Sequence, residues 1–95
     1  MAFFPANSSV GGGTVKSGSD SANIGTNGLG SKNVTFGITF ESVPTVVMTP
    51  NYSSNKNVKY TVSNVTKTGF TANFWDYGSG IVAYSLDFNY IATDY

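Results

Sequence analysis

Asp20, Glu41, Asp76, Asp87 and Asp94 are the groups best suited to proton transfer in this chain, which contains no histidine and no cysteine. Without imidazole or thiol, the common nucleophile–base pairs and most transition-metal sites cannot be assembled. Glycosidase chemistry needs two carboxylates facing one bond at roughly 5–10 Å. Asp76 and Asp87 sit on consecutive apolar stretches expected to pair, but alternation turns Asp76 with the core phase and Asp87 outward, so they diverge. The reading is a non-enzyme. "GSDS" and "WDYGSG" each bring one carboxylate to a loop, too few for a tight calcium site, so no metal or cofactor is expected. The closely spaced glycines of "GTNGLG" have no following helix and no basic residue beyond Lys32, a weak basis for phosphate binding.

The aromatic residues concentrate in "TGFTANFWDYGSGIVAYSLDFNY", residues 68–90. Such a run is either a stacking surface for a ligand or one buried hairpin. Phe70, Phe74, Tyr84, Leu86 and Phe88 fall on the inward phase of two strands read as neighbours joined by "DYGSG". Burial of each would stabilise the fold by roughly 1.5–3 kcal/mol. Trp75 and Tyr77 fall on the opposite phase beside a glycine-rich turn, outside that core. Tyr77 offers a ring face to a sugar; Trp75 is either a ligand contact or packing beneath the hairpin or in a subunit interface.

The elements that would position these side chains are strands. "NVTFGITF" sets Val34, Phe36, Ile38 and Phe40 against Thr35, Gly37 and Thr39, the period-2 pattern of a half-buried strand. "VPTVVMT" is bracketed by Pro44 and Pro50, which confine it to a sheet edge or to starting and ending there. "NVKYTVSNV" alternates Val58, Tyr60 and Val62 with Lys59, Thr61 and Ser63. "GFTANFWDY" and "IVAYSLDFNYIA" follow, the second with Val82, Tyr84, Leu86, Phe88 and Tyr90 inward. With a short strand in "TVKSG" the series predicts an all-β fold, a six-stranded antiparallel β-sandwich. Residues 19–32 read as a long loop, and residues 1–13, with Phe3, Phe4 and three glycines, as a flexible or partner-bound N-terminal arm before a domain over residues 14–95.

At 95 residues there is room for one domain, and 11% charged residues with five of each sign leave no electrostatic footprint for nucleic acid or an anionic membrane. No apolar run approaches the roughly 18 residues of a spanning helix. The N-terminal residues lack the basic and apolar regions of a secretory signal, so the chain is either made and assembled inside a cell or an excised domain with an added Met. Matches to Asn-x-Ser/Thr at Asn7, Asn33, Asn51 and Asn64 are expected by chance in so Asn-, Ser- and Thr-rich a sequence. With no disulfide, stability rests on packing and on oligomerisation.

The order of "VKSG", "KNVTFGITFESVPTVVMTP", "SNVTKTGFTANF" and "AYSLDFNYIATDY" resembles the H-type lectin domain of snail agglutinins and discoidins, found also in phage tail fibres. The resemblance implies a six-stranded sandwich, a homotrimer, and a galactose- or N-acetylgalactosamine-type sugar at the rim between subunits. Carried over by position, the family's loop Asp falls on Asn23 or Asn27, its Arg on Asn57, its Trp-His on Tyr77-Gly78, and its final-strand Tyr on Tyr84. The resulting site comprises Asn27, Asn57, Trp75, Tyr77, Ser79 and Tyr84. The expected function is a glycan-binding adhesion module of a phage tail fibre, in a virion assembled in bacterial cytoplasm, with Phe3 and Phe4 available to other virion proteins. The alternative is a structural virion protein, a capsid decoration or tail component, that uses the same fold for trimerisation without sugar binding.

Overall fold

Strict alternation of large apolar and polar residues makes two segments the spines of the fold. In the computed structural model, which describes residues 13–52 and 56–95, these are β5 (Gly69–Asp76) and β6 (Tyr84–Thr93). Around them lie β1 (Val15–Ile24), β2 (Leu29–Thr35), β3 (Thr45–Asn51) and β4 (Val58–Ser63). The strands form two antiparallel three-stranded sheets, β1-β6-β3 and β2-β5-β4, with β6 and β5 central. The expected six-stranded sandwich is the observed fold. Residues 1–12, with most of the expected arm, lie outside the described residues.

The core is what the two central strands turn inward. Phe70, Ala72 and Phe74 of β5 meet Leu86, Phe88, Tyr90 and Ala92 of β6, all buried. Phe74 packs on Phe88 with ring centroids 5.3 Å apart, and Phe70 meets Tyr90 edge-on at 5.2 Å. Tyr90 reaches this position because residue 18 is glycine: a Cβ there would come within 2.7 Å of the Tyr90 hydroxyl.

Four expectations are corrected. The long loop of residues 19–32 is mostly strand: β1 runs on to Ile24 and β2 starts at Leu29, leaving a tight turn closed by Gly28 N–H donating to the Gly25 carbonyl at 2.9 Å. Its Ser and Asn residues occupy the solvent-facing phase, where polarity is no bar to a strand. Conversely, Phe36 and Phe40 lie beyond the end of β2; their rings meet edge-on at 5.1 Å. Their amides bond the carbonyls of Thr68 and Lys67, so these side chains plug one end of the sandwich without belonging to a ladder.

The third correction bears on function. β5 and β6 are not a hairpin, because they belong to different sheets and the segment between them crosses from one layer to the other. Asp76 and Asp87 are therefore not on adjacent strands, although Asp76 points inward and Asp87 outward as their phases predict. Finally, Val82, read with the inward phase, and Tyr60, in phase with the buried Val58, are exposed. Val82 precedes the start of β6 and is 78% exposed, and Tyr60, on edge strand β4, is 44% exposed. Pro50 sits within β3, an edge strand, in agreement with its missing N–H.

Candidate functional site

The alternation that buries Phe74 also buries the last residue of β5, Asp76, which is 4% exposed. A carboxylate in such a place is tolerated only if its oxygens are satisfied. The Gly78 amide donates to Oδ1 at 3.0 Å, a local turn bond, and the Tyr84 hydroxyl donates to Oδ2 at 2.8 Å from the opposite sheet. The Gly78 amide chiefly, then the Tyr84 hydroxyl, with the nearby Lys56 charge adding, hold the Asp76 carboxyl below its ordinary value against the opposing effect of burial. Burial first, then the hydrogen bond and charge of Asp76, push the Tyr84 phenol up to about 12. Both shifts move away from neutrality, so neither group is poised for proton transfer near pH 7. The pair works as a clamp between layers.

Three backbone segments gather around this clamp. The Asp76 amide donates to the Gly28 carbonyl at 2.8 Å, and the Tyr77 amide to the Asn57 carbonyl at 2.9 Å. Gly28, at φ 83°, is required twice over: its conformation disfavours L side chains, and a Cβ would run into the Asp76 carbonyl. Between the start of β4 and the 77–83 segment opens a depression of about 350 Å³, with Lys56, Asn57, Ser79 and Val82 on its walls and Asp76 at its base. The Asn57 amide faces Gly78, its Nδ2 3.7 Å from where a Cβ would sit. Lys56 lays its ammonium 4.2 Å from the centroid of the Tyr84 ring.

The six expected site residues divide into groups. Asn57 and Ser79 line the depression, and Tyr84 is tied to its base through Asp76. Trp75 and Tyr77 stand on the outer face of the β2-β5-β4 sheet, 46% and 49% exposed, their centroids 5.5 Å apart. Lys59 lies 5.7 Å from the Trp75 ring and 5.4 Å from that of Tyr77. Cross-strand pairing places Leu29, Trp75 and Lys59 in one row of this face. Asn27 is not on the walls of the depression; its Oδ1 accepts the Leu29 amide at 3.0 Å and shapes the turn. Asn23 is exposed on β1 opposite Ser85.

Sequence reasoning turned Asp76 inward but left it out of the site, and it missed Lys56 and Lys59. The Asp two residues before Gly in "DYG" is the signature of a side chain closing its own turn. The lysines bracket Asn57 in "KNVK". A slightly larger depression, about 380 Å³, lies on the other sheet, where Asp87 and Asp20 line it together with Ser19, Ser21, Asn51 and Asn89.

The sequence matches the H-type lectin domain over residues 31–93, a span that includes β3 to β6, the clamp and the depression. The chain belongs to the H-type lectin family. No curated protein matches it. Among solved structures, this lectin domain resembles the tailspike gp49 of Pseudomonas phage LKA1, with TM-score 0.74 and 22% identity over 88% of the chain and 15% of the tailspike. It also resembles the Gp54 tailspike of Acinetobacter baumannii bacteriophage AP22, solved with A. baumannii capsular saccharide: TM-score 0.71, 7% identity, 86% of the chain and 17% of the tailspike. The R1 pyocin fibre of P. aeruginosa gives TM-score 0.65 and 21% identity over 85% of the chain and 23% of the fibre. At these identities the likeness is one of fold, and the chain spans about a sixth of the length of the tailspikes.

Proposed function

We propose that this lectin domain is a non-catalytic carbohydrate-binding adhesion module that recognises bacterial surface glycans as part of a phage tail fibre or related receptor-binding protein of a virion. The observation that carries the reading is the Asp76–Tyr84 clamp beneath a depression walled by Asn57 and Ser79, with the exposed Tyr77 ring turned to the outer face of the β2-β5-β4 sheet. The clamp fixes the floor, so the neutral amide and hydroxyl above it bind sugar hydroxyls with little loss of conformational freedom. Tyr77 adds a ring face for the apolar side of a pyranose. Family membership and the saccharide held by the AP22 tailspike support the same reading. A galactose- or N-acetylgalactosamine-type unit is the sugar the family resemblance favours.

The module works as a homotrimer in this proposal. On the outer face of the β1-β6-β3 sheet, Ile91 lies between Ser17 and Val47 in one row, next to Val15 opposite Thr93. Val15, Val47 and Ile91 are 42%, 65% and 53% exposed, an apolar surface suited to another copy. That surface also favours a second reading, a structural virion protein that keeps the fold for assembly alone. Asn57, where the family's sugar-binding Arg would fall, points the same way, since a neutral amide binds less directionally than a guanidinium fork. A bacterial glycan array probed with the purified protein separates the two: reproducible binding that disappears in Tyr77→Ala supports the adhesion module, and a blank array with tight incorporation into virions supports the structural role.

A further inference from the structure

The chain contains no arginine, and of its five lysines two stand at the same end of the sandwich, on either side of the 77–79 segment. Each is held on an aromatic face. Lys56, on the wall of the depression, lies 4.2 Å from the Tyr84 centroid, and Lys59 lies 5.4 Å from Tyr77 and 5.7 Å from Trp75 on the outer face of the β2-β5-β4 sheet. A ring beneath an ammonium restrains it and leaves its N–H donors directed outward. Among the described residues the one salt bridge is Lys32–Asp20 at 3.9 Å, so neither of these lysines is in one. The carboxylate nearest Lys56, Asp76, is buried with both oxygens engaged by Gly78 and Tyr84. Asp94 is bonded to the Thr14 amide by the strand ends farthest from the depression, and Asp87 faces outward on the other sheet. The surface around Tyr77 and Ser79 therefore presents two restrained cations with no exposed carboxylate between them.

We propose that the glycan is acidic, a saccharide bearing carboxylate groups of the uronic-acid kind, and that Lys56 and Lys59 read its charge. The inference rests on the lectin reading above and narrows it to a ligand class, the galactose-type unit carrying a carboxylate in place of its C6 hydroxymethyl group. A sugar in the depression with its carboxylate toward Lys56 would extend past Tyr77, so that the carboxylate of a further unit meets Lys59. Charge-assisted bonds of this kind are roughly twice as strong as neutral ones, and they supply the attraction that the neutral Asn57 does not.

The test is a panel of purified bacterial capsular polysaccharides, each printed as the native acidic polymer and as its carboxyl-reduced form with identical linkages. The native member of a bound pair should be held about tenfold more tightly, a preference of two surface-exposed charge contacts. Lys56→Gln with Lys59→Gln should collapse that ratio to about one, Lys56→Arg should keep it, and Lys16→Gln, at the far end of β1, should leave it as in the wild type. Equal or tighter binding of the reduced forms overturns the inference and leaves the lectin reading standing. Failure of every native and reduced polymer to bind overturns the lectin reading, and the inference falls with it.

Discussion

The Tyr84 hydroxyl, at the start of β6, donates a 2.8 Å hydrogen bond to Asp76 Oδ2, at the end of β5, and so ties the first residue of one sheet's central strand to the last residue of the other's. The chain segment between them forms one wall of the depression. Its shape therefore depends on a bond between two ionisable groups, and that makes it sensitive to pH at both extremes.

Because the folded-state value of Asp76 is lowered, its contribution is complete above the unfolded carboxylate value near 3.8 and is lost as pH falls through the folded value. For Tyr84, raised from 10.0 to about 12, the contribution is complete below pH 10 and is lost as pH rises through about 12. Burial also raises the phenol of Tyr90, so the wild type alone does not isolate the clamp. The difference in melting temperature between wild type and Tyr84→Phe should be constant from pH 6 to about 9 and shrink above about 10. A difference that does not change at high pH would show that the hydroxyl is not engaged.

Gly28→Ala should be among the most damaging single-methyl additions in the protein. It forces a side chain into positive φ and against the Asp76 carbonyl, whose amide depends on the Gly28 carbonyl at 2.8 Å. A loss of about 2 kcal/mol or more in urea unfolding is expected. A neutral result would mean that the turn relaxes freely around the end of β5.

Core and outer face should separate cleanly. Phe88 is fully buried and Phe70 is 3% exposed, so truncating either to Ala should cost about 3–5 kcal/mol. That is enough to unfold a marginally stable domain. Tyr77→Ala, 49% exposed, should keep the melting temperature within a few degrees while removing glycan binding. Thermal melts with a binding assay on the same preparations decide it; Tyr77→Ala melting as badly as Phe70→Ala contradicts the assignment of its ring to the outer face.

The phases of β5 and β6 were readable because each alternates large apolar residues with polar ones over most of its length, and from them follow the burial of Asp76 and the exposure of Trp75 and Asp87. Pairing was not readable. The turn residues in "DYGSG" suit a hairpin, yet strand partners are set by packing between distant segments, and here the chain uses the turn to change layers. The outward polar phase of β1 hid a strand as a loop, whereas Phe36 and Phe40 imitated a strand while plugging an open end. The clamp escaped notice for a related reason: Asp76 and Tyr84 meet only because the two sheets face each other.

The apolar face of the β1-β6-β3 sheet gives the assembly test. Val47→Asp and Ile91→Asp introduce charge at residues 65% and 53% exposed, so folding should survive while the proposed trimer dissociates. Sedimentation should then shift from trimer to monomer at protein concentrations of about tens of micromolar. A wild-type monomer, or charged variants that remain trimeric, would place the interface elsewhere or remove it.

The claim that this end of the sandwich binds a saccharide is tested most directly by amide NMR during titration with the polysaccharide fragment that binds best on the array. The account predicts shifts that concentrate at Asn57 and Tyr77 to Gly80 and reach the Tyr84 amide, saturating together. Shifts confined to Asp87, Asn89 and their neighbours on the other sheet's outer face, or no saturable shift at all, would contradict it.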